Sequence, residues 1–371
     1  MRIRHITVHK LVMKLRESFV TSYGVEWEKD FLLLFATTEE GVTGSAECTA
    51  FREPLYLEET TETARHILCD FLIPAILDQE FDHPDDVSRF LQKFRGNYMA
   101  KATLEVAIWD AYARQHGLSL RQAIGGVKEE VQGGISLGIE PTIDQLLAKI
   151  DSRLQQGFTR IKVKIKPGHD DHVIEAIRHA FGSIALMADA NSAYQRKDIA
   201  LLKALDAFDL MMIEQPFAYD DMLDHAWLQP QLRTPICLDE SIRTIDDARK
   251  AIEIGACRVI NVKIGRVGGI TPAREIIQLC ERHGVDAWCG GMLEAGIGRA
   301  CNLAISSLSG MTMPGDIAPS ERYFERDVIL SPIRFSRPGF FAAERGLGHG
   351  VEIDEERLRE VTVWQQEFSA Q

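Results

Sequence analysis

The chain has 371 residues, of which 45% are hydrophobic and 26% charged, and its formal net charge is −13. That acidic balance argues against nucleic-acid binding, which depends on Lys and Arg neutralising phosphates. The composition is that of a folded globular chain, long enough for a barrel of roughly 200 to 250 residues plus a second unit. Seven cysteines without a C-x-x-C pair indicate neither a disulfide framework nor a zinc site, and most read as small buried apolar side chains.

The first residues, Met1-Arg2-Ile3-Arg4-His5-Ile6-Thr7, are basic but lack the apolar core of a signal peptide, and Phe31 to Ala36 is too short to span a bilayer. The expectation is a cytoplasmic protein that does not engage membranes. Alternation over Ile3–Leu15, Asp30–Thr37 and Val42–Thr49, with a turn at Glu39-Glu40-Gly41, predicts an antiparallel meander. Helical spacing follows in Leu57–Asp78, Asp85–Arg95 and Lys101–His116, and Pro84 is a good helix start. Residues 1–125 therefore read as an α+β domain.

After Gly125-Gly126 the pattern changes to strand, loop, helix, repeated. Arg160–Lys164, Ile184–Asp189, Leu210–Glu214, Pro235–Asp239 and Val259–Lys263 are short apolar runs, each ending in a charge. Lys164, Asp189, Glu214, Asp239 and Lys263 are separated by 25, 25, 25 and 24 residues. The repeat predicts a parallel (β/α) barrel over 126–320, starting with Val131–Leu137, taking Val285–Cys289 as its seventh strand and Met311–Ile317 as an abbreviated last one. Residues 321–371 read as a less regular tail that packs back on the first domain, with Pro338 to Gly350 as loop.

One Asp or Lys at a strand end is ordinarily a solvated rim residue or a helix cap. Five in phase are different, because barrel enzymes keep their chemistry where the C-terminal strand ends converge. Asp189, Glu214 and Asp239 offer three hard oxygen ligands, which suits Mg²⁺, with Mn²⁺ or another divalent metal as alternatives. Lys162 and Lys164 share one face of a strand, and repulsion between them lowers the affinity of each for its proton. Lys263 leaves the sixth strand, about halfway round from Lys164. Two ammonium groups would then flank a metal-bound carboxylate substrate, which points to abstraction of a proton next to a carboxylate. Asn191, Glu240 and Arg266 are expected to contact substrate or to orient the ligands and bases.

With these residues the chain resembles the enolase superfamily, in the subgroup typified by muconate lactonising enzyme. The resemblance rests on Lys162-x-Lys164, Asp189-x-Asn191, Glu214-Gln215-Pro216, Asp239-Glu240-Ser241 and Lys263, and covers essentially the whole chain. It implies a modified (β/α)₇β TIM-type barrel with an N-terminal α+β capping domain, an α/β fold. Trp288–Glu294, Ala295–Arg299 and Pro314-Gly315-Asp316-Ile317 are most similar to the branch of o-succinylbenzoate synthases and N-succinylamino acid racemases. The resemblance implies catalytic roles for Lys164, Lys263 and Lys162. It also implies substrate contacts from Ser136, Gly291 and Met292, and cap loops around Phe19 and Phe51-Arg52 that close the site. The implied reaction is metal-dependent dehydration of a cyclohexadiene carboxylate in menaquinone biosynthesis, with racemisation of N-succinylamino acids, or one enzyme doing both, as the alternatives. The expected assembly is a homo-oligomer.

Overall fold

The structure is a computed structural model and describes residues 1–21, 24–77 and 79–370. Strands β1 (Ile3–Val20), β2 (Val25–Thr38) and β3 (Thr43–Cys48) form the expected meander, tightened at Gly41, whose φ is 80°. A strand near the end of the chain, β13 (Thr362–Ser369), pairs antiparallel with β1, giving a sheet in the order β13-β1-β2-β3. The apolar side of this sheet packs on the helix Tyr98–Gln115, most of whose residues are buried.

The helix expected over Leu57–Asp78 starts later, at Thr61, because the Thr60 side chain caps it by accepting from the Thr63 amide. It continues as a π turn at Leu68–Leu72 and a last turn at Ile73–Ile76, and Asp78 lies outside the described residues. The next helix is Pro84–Leu91, shorter than the sequence pattern suggested.

The second half is an α/β unit built on a seven-stranded parallel sheet. In sequential order its strands are β5 (Ile135–Leu137), β6 (Arg160–Lys164), β7 (Ala185–Asp189), β8 (Met212–Glu214), β9 (Ile236–Leu238), β10 (Val259–Val262) and β11 (Asp286–Cys289). Apolar residues on the outward faces, such as Ile161, Val163, Leu186, Ile213 and Ile260, belong to the core shared with the surrounding helices. The inward faces carry a separate small cluster, Met187, Met212, Cys237, Val259 and Trp288, which fills the interior below the charged strand ends.

Both ends of this sheet depart from the sequence expectation. The first strand is broken at Gly133-Gly134: β4 (Glu130–Gln132) pairs instead with β12 (Phe340–Ala342), inside the stretch expected to be loop. A Cβ on Gly134 would sit 2.2 Å from Arg160 Nε, so the break is where a buried guanidinium crosses the backbone. The abbreviated last strand is not a strand. Pro314 has no amide hydrogen to give to a ladder. Segment 312–316 nevertheless ties the edge strand β11 to β4 and the glycine pair that precedes β5: Thr312 and Asp316 donate to Ala287 and Cys289 at 2.9 and 2.7 Å, Gly315 donates to Gln132 at 3.0 Å, and Gly134 donates to Gly315 at 2.7 Å.

All seven cysteines are buried and free. Among the described residues no helix is long and apolar enough to cross a membrane.

Candidate active site

Parallel register lines up the charged ends. Lys164 is opposite Asp189, and Asp189 is opposite Glu214, so one row across β6, β7 and β8 points the same way. Asp239 and Lys263 lie one residue past β9 and β10. The chain turns sharply after the ends of β7 and β8. Asn191, Ser192 and Gln215 have φ of 41°, 64° and 40°. Gln215 is held there by its own amide group, whose oxygen accepts from the Asp239 amide at 3.0 Å while its nitrogen donates to Ser241 Oγ at 2.7 Å.

Every strand-end carboxylate is buried against a cation. Lys164 Nζ donates to Asp189 Oδ2 at 2.7 Å and to Asn191 Oδ1 at 2.6 Å. Lys162 Nζ lies 2.9 Å from Glu214 Oε2 and 3.1 Å from Asp189 Oδ2, bridging the two. Asn261 Nδ2 donates to the other Glu214 oxygen at 2.7 Å. Asp239 Oδ2 accepts from Lys263 Nζ at 2.8 Å and from the Tyr56 hydroxyl at 3.1 Å, and Arg266 Nη1 donates to its second oxygen.

Burial sets the proton affinities first and the neighbours then divide them. Burial would raise the Asp189 carboxyl, but Lys164 and Lys162 outweigh it and hold it well below the usual carboxylate range. Glu214 is pushed up to about 7 by burial and by the adjacent Asp189. Glu240, whose Oε1 accepts from Asn191, is pushed up to about 8 by burial and then by Asp239 and Asp189. For Lys162 burial favours the neutral amine, yet Glu214 and Asp189 prevail and its pKa rises. The mutual lowering expected of Lys162 and Lys164 is therefore not what governs Lys162, because Glu214 and Asp189 outweigh both burial and the like charge of Lys263.

Lys162, Lys164, Asp189 and Lys263 open on one small cavity between barrel and cap, with Glu214 and Asp239 outside its lining. Lys162, Lys164 and Lys263 reach it from the barrel, Phe19, Phe51 and Tyr56 from the cap, and Ser136, Asn191, Gly291 and Met292 line it as well. Glu240 and Arg266 stand behind this wall. Arg266 is fully buried and donates to the Ile242 carbonyl at 2.8 Å and the Tyr56 hydroxyl at 3.0 Å. Arg52 pairs with Glu28 at 3.1 Å on the surface. Leu293, also on the wall, is held at φ 57°, which costs a leucine about 1–2 kcal/mol.

Residues 145–357 match the description "Enolase C-terminal domain-like", and residues 3–125 match the N-terminal domain of mandelate racemase / muconate lactonizing enzyme. The chain belongs to the enolase superfamily. It is 49% identical to an o-succinylbenzoate synthase of Geobacillus kaustophilus, over 97% of this chain and 96% of that one. It is 44% identical to an N-succinylamino acid racemase of Thermus thermophilus, over 100% of both. Among solved structures, an enolase-superfamily member from Listeria innocua matches with a TM-score of 0.97 at 40% identity, covering 100% of both chains. A dipeptide epimerase from Cytophaga hutchinsonii, solved with Mg and a dipeptide, matches with a TM-score of 0.90 at 25% identity, again over 100% of both.

Enolase-superfamily members bind a divalent metal, and the residues here fit one. Lys162 already places a positive charge between Asp189 and Glu214, and the buried Glu240 Oε2 has no hydrogen-bond partner. The lysine holds a cation's place between two hard oxygen ligands, and the unpartnered Glu240 oxygen leaves one buried acceptor beside them. With ammonium groups between them, the three strand-end carboxylates are not drawn together. Among the described residues, the acidic and imidazole atoms within 4.8 Å of one another belong to Asp170, Asp171 and His172, at the start of the next helix.

The sequence reading passed over several residues of this enolase-superfamily site. Asn261 is polar within an apolar strand, two residues before Lys263, so strand alternation alone puts both on the inner face. Asp316 accepts from Ser136 Oγ at 2.6 Å and lies 4.0 Å from Lys162 Nζ; it ends the last barrel segment, as the other charged residues end theirs. Tyr56 and Tyr323 come from irregular segments, and no spacing in the sequence marks them.

Proposed function

We propose that this protein is an o-succinylbenzoate synthase, which removes water from 2-succinyl-6-hydroxy-2,4-cyclohexadiene-1-carboxylate to give 2-succinylbenzoate. The observation that carries proton abstraction is the entry of Lys164 and Lys263 into one cavity from β6 and β10, beside three strand-end carboxylates. The choice of substrate rests on the near full-length relatives of that name. Asp189, Glu214 and Asp239 are the residues that would hold Mg²⁺. A divalent cation bound there would supply positive charge for the substrate carboxylate and would offset the carboxylates that raise Lys162 and Lys263.

Lys164, as the free amine, takes the proton from the carbon next to the carboxylate. The electrons left behind expel the ring hydroxyl, and the same lysine returns the proton to it, so water leaves and the ring becomes aromatic. Lys263 stays protonated and sits against the negative charge that develops. Asn191, which accepts from Lys164 and donates to Glu240, fixes the direction of the amine. Ser136, Gly291, Met292 and Phe19 shape the space for the succinyl arm. In the same reading residues 1–125 form the cap, 126–320 the barrel and 321–371 a returning tail, a division supported by the sheet order.

A second activity, racemisation of N-succinylamino acids, is favoured by one feature: both lysines reach the cavity, as a reaction using both faces of a carbon requires. The test gives the Mg²⁺-loaded protein the cyclohexadiene substrate, followed by absorbance, and separately an N-succinyl-L-amino acid in D₂O, followed by NMR and polarimetry. Dehydration that is lost in EDTA and regained with Mg²⁺ supports the synthase; efficient racemisation without dehydration would overturn it. Arg266→Gln is expected to slow racemisation more than dehydration, since only racemisation requires Lys263 to lose its proton.

A further inference from the structure

A second, small cavity, also bordered by Lys263, is walled by Glu47, Thr49, Met292, Glu294, Cys301 and Asn302. An ion pair stands at its edge. Lys29 of β2 and Glu47 of β3 bond to each other, and both side chains are buried. Neither is among the residues lining the reacting cavity.

Both charges end on the same short stretch of barrel main chain. Lys29 Nζ donates to the Leu293 carbonyl at 2.9 Å. The Glu47 carboxylate accepts from the Ala295 and Gly298 amides, each at 3.0 Å, and so covers the first turn of the helix Gly296–Ser306. From the barrel side, Glu294 Oε1 accepts from the Met292 amide at 2.8 Å and from Asn302 Nδ2 at 2.9 Å. The stretch so held contains Leu293 in its left-handed conformation, which persists only where its surroundings leave no alternative. It also contains Gly291, Met292 and Leu293, the wall of the reacting cavity.

We propose that Lys29 and Glu47 are positioning residues, a latch from the cap that sets the shape of the 291–293 wall and thereby which carboxylate substrate the cavity accepts. The proposal rests on that cavity being the substrate site, as read above. Their reach is through the main chain, so the effect falls on how well substrate is held in both ground and transition state, more than on the chemical step.

Lys29→Met alone would leave the Glu47 carboxylate buried and unpaired and is interpretable only if it folds, whereas K29M/E47Q removes both charges of the pair together. The full-length Mg²⁺-loaded double variant is expected to keep the wild-type circular dichroism, to raise KM for dehydration about tenfold and to change kcat less than about threefold. Hydrogen exchange of the amides in 292–298, read by mass spectrometry, is expected to speed up. A folded double variant with wild-type KM and wild-type exchange in 292–298 would overturn the latch, as would a loss confined to kcat. Wild-type protein that neither dehydrates nor racemises would instead sink the functional reading, and the exchange measurement would still decide the latch.

Discussion

Lys164 hydrogen-bonds both a strand-end carboxylate and Asn191, and that pairing separates its two jobs. Lys164→Ala is expected to lower the dehydration rate by about 10²–10⁴, the range for losing a general acid–base, while Mg²⁺ binding measured by calorimetry persists, because all three carboxylates remain. Equal loss of both would make Lys164 a structural partner of Asp189. A different buried carboxylate, Glu105, contributes to how stability varies with pH. Glu105, on the cap helix, accepts from the Ile270 and Thr271 amides at 2.7 and 2.8 Å, and burial pushes it up to about 7 against those bonds. Its folded value lies above its value of 4.5 in the open chain, so its contribution is complete below that pH and is lost as pH rises through about 7. Urea unfolding across that window should show the wild type losing on the order of 3 kcal/mol relative to Glu105→Gln. A pH-independent difference between the two would contradict this.

The glycine pair that interrupts the first barrel strand shows how tightly the elements interlock. Gly134→Ala puts a methyl into the Arg160 guanidinium, and overpacking of that kind is expected to cost about 1–3 kcal/mol, read as a lower urea midpoint with unchanged slope. The elements also show what the sequence could reveal. Lys164, Asp189, Glu214, Asp239 and Lys263 were legible because each unit of strand, loop and helix takes a nearly fixed number of residues, so charges at equivalent strand ends recur at equal spacing. Asp316 was harder to see because its segment carries Pro314 and makes its hydrogen bonds without becoming a strand. Tyr56 was invisible: it reaches Lys263 at 2.8 Å from a stretch with no repeat, and its distance along the chain, 207 residues, is set by how the cap sits on the barrel. The start of the helix at Thr61 was local and readable in principle, through its Thr60 and Thr63 cap. The pairing of β12 with β4 was not, since neither strand alone has a pattern longer than three residues.

Across the whole molecule, cap and barrel hold each other by carboxylates laid on helix starts: Glu47 on the helix Gly296–Ser306 and Glu105 on the helix Ile270–His283. The cap sheet also depends on the far end of the chain. Ending the protein before Thr362 removes the partner of β1 and is expected to lower the melting temperature and promote self-association, measured by calorimetry and light scattering. A truncated chain with the full-length protein's assembly state and unchanged melting would refute this. His5 and Ser369, which face each other across β1 and β13, are 364 residues apart along the chain. During translation, β1 emerges long before its partner has been made, and its outer edge stays open while the ribosome builds the entire barrel. The nascent chain therefore carries an unpaired sheet edge for most of its synthesis, and that interval is where a cell's chaperones would have the most to do.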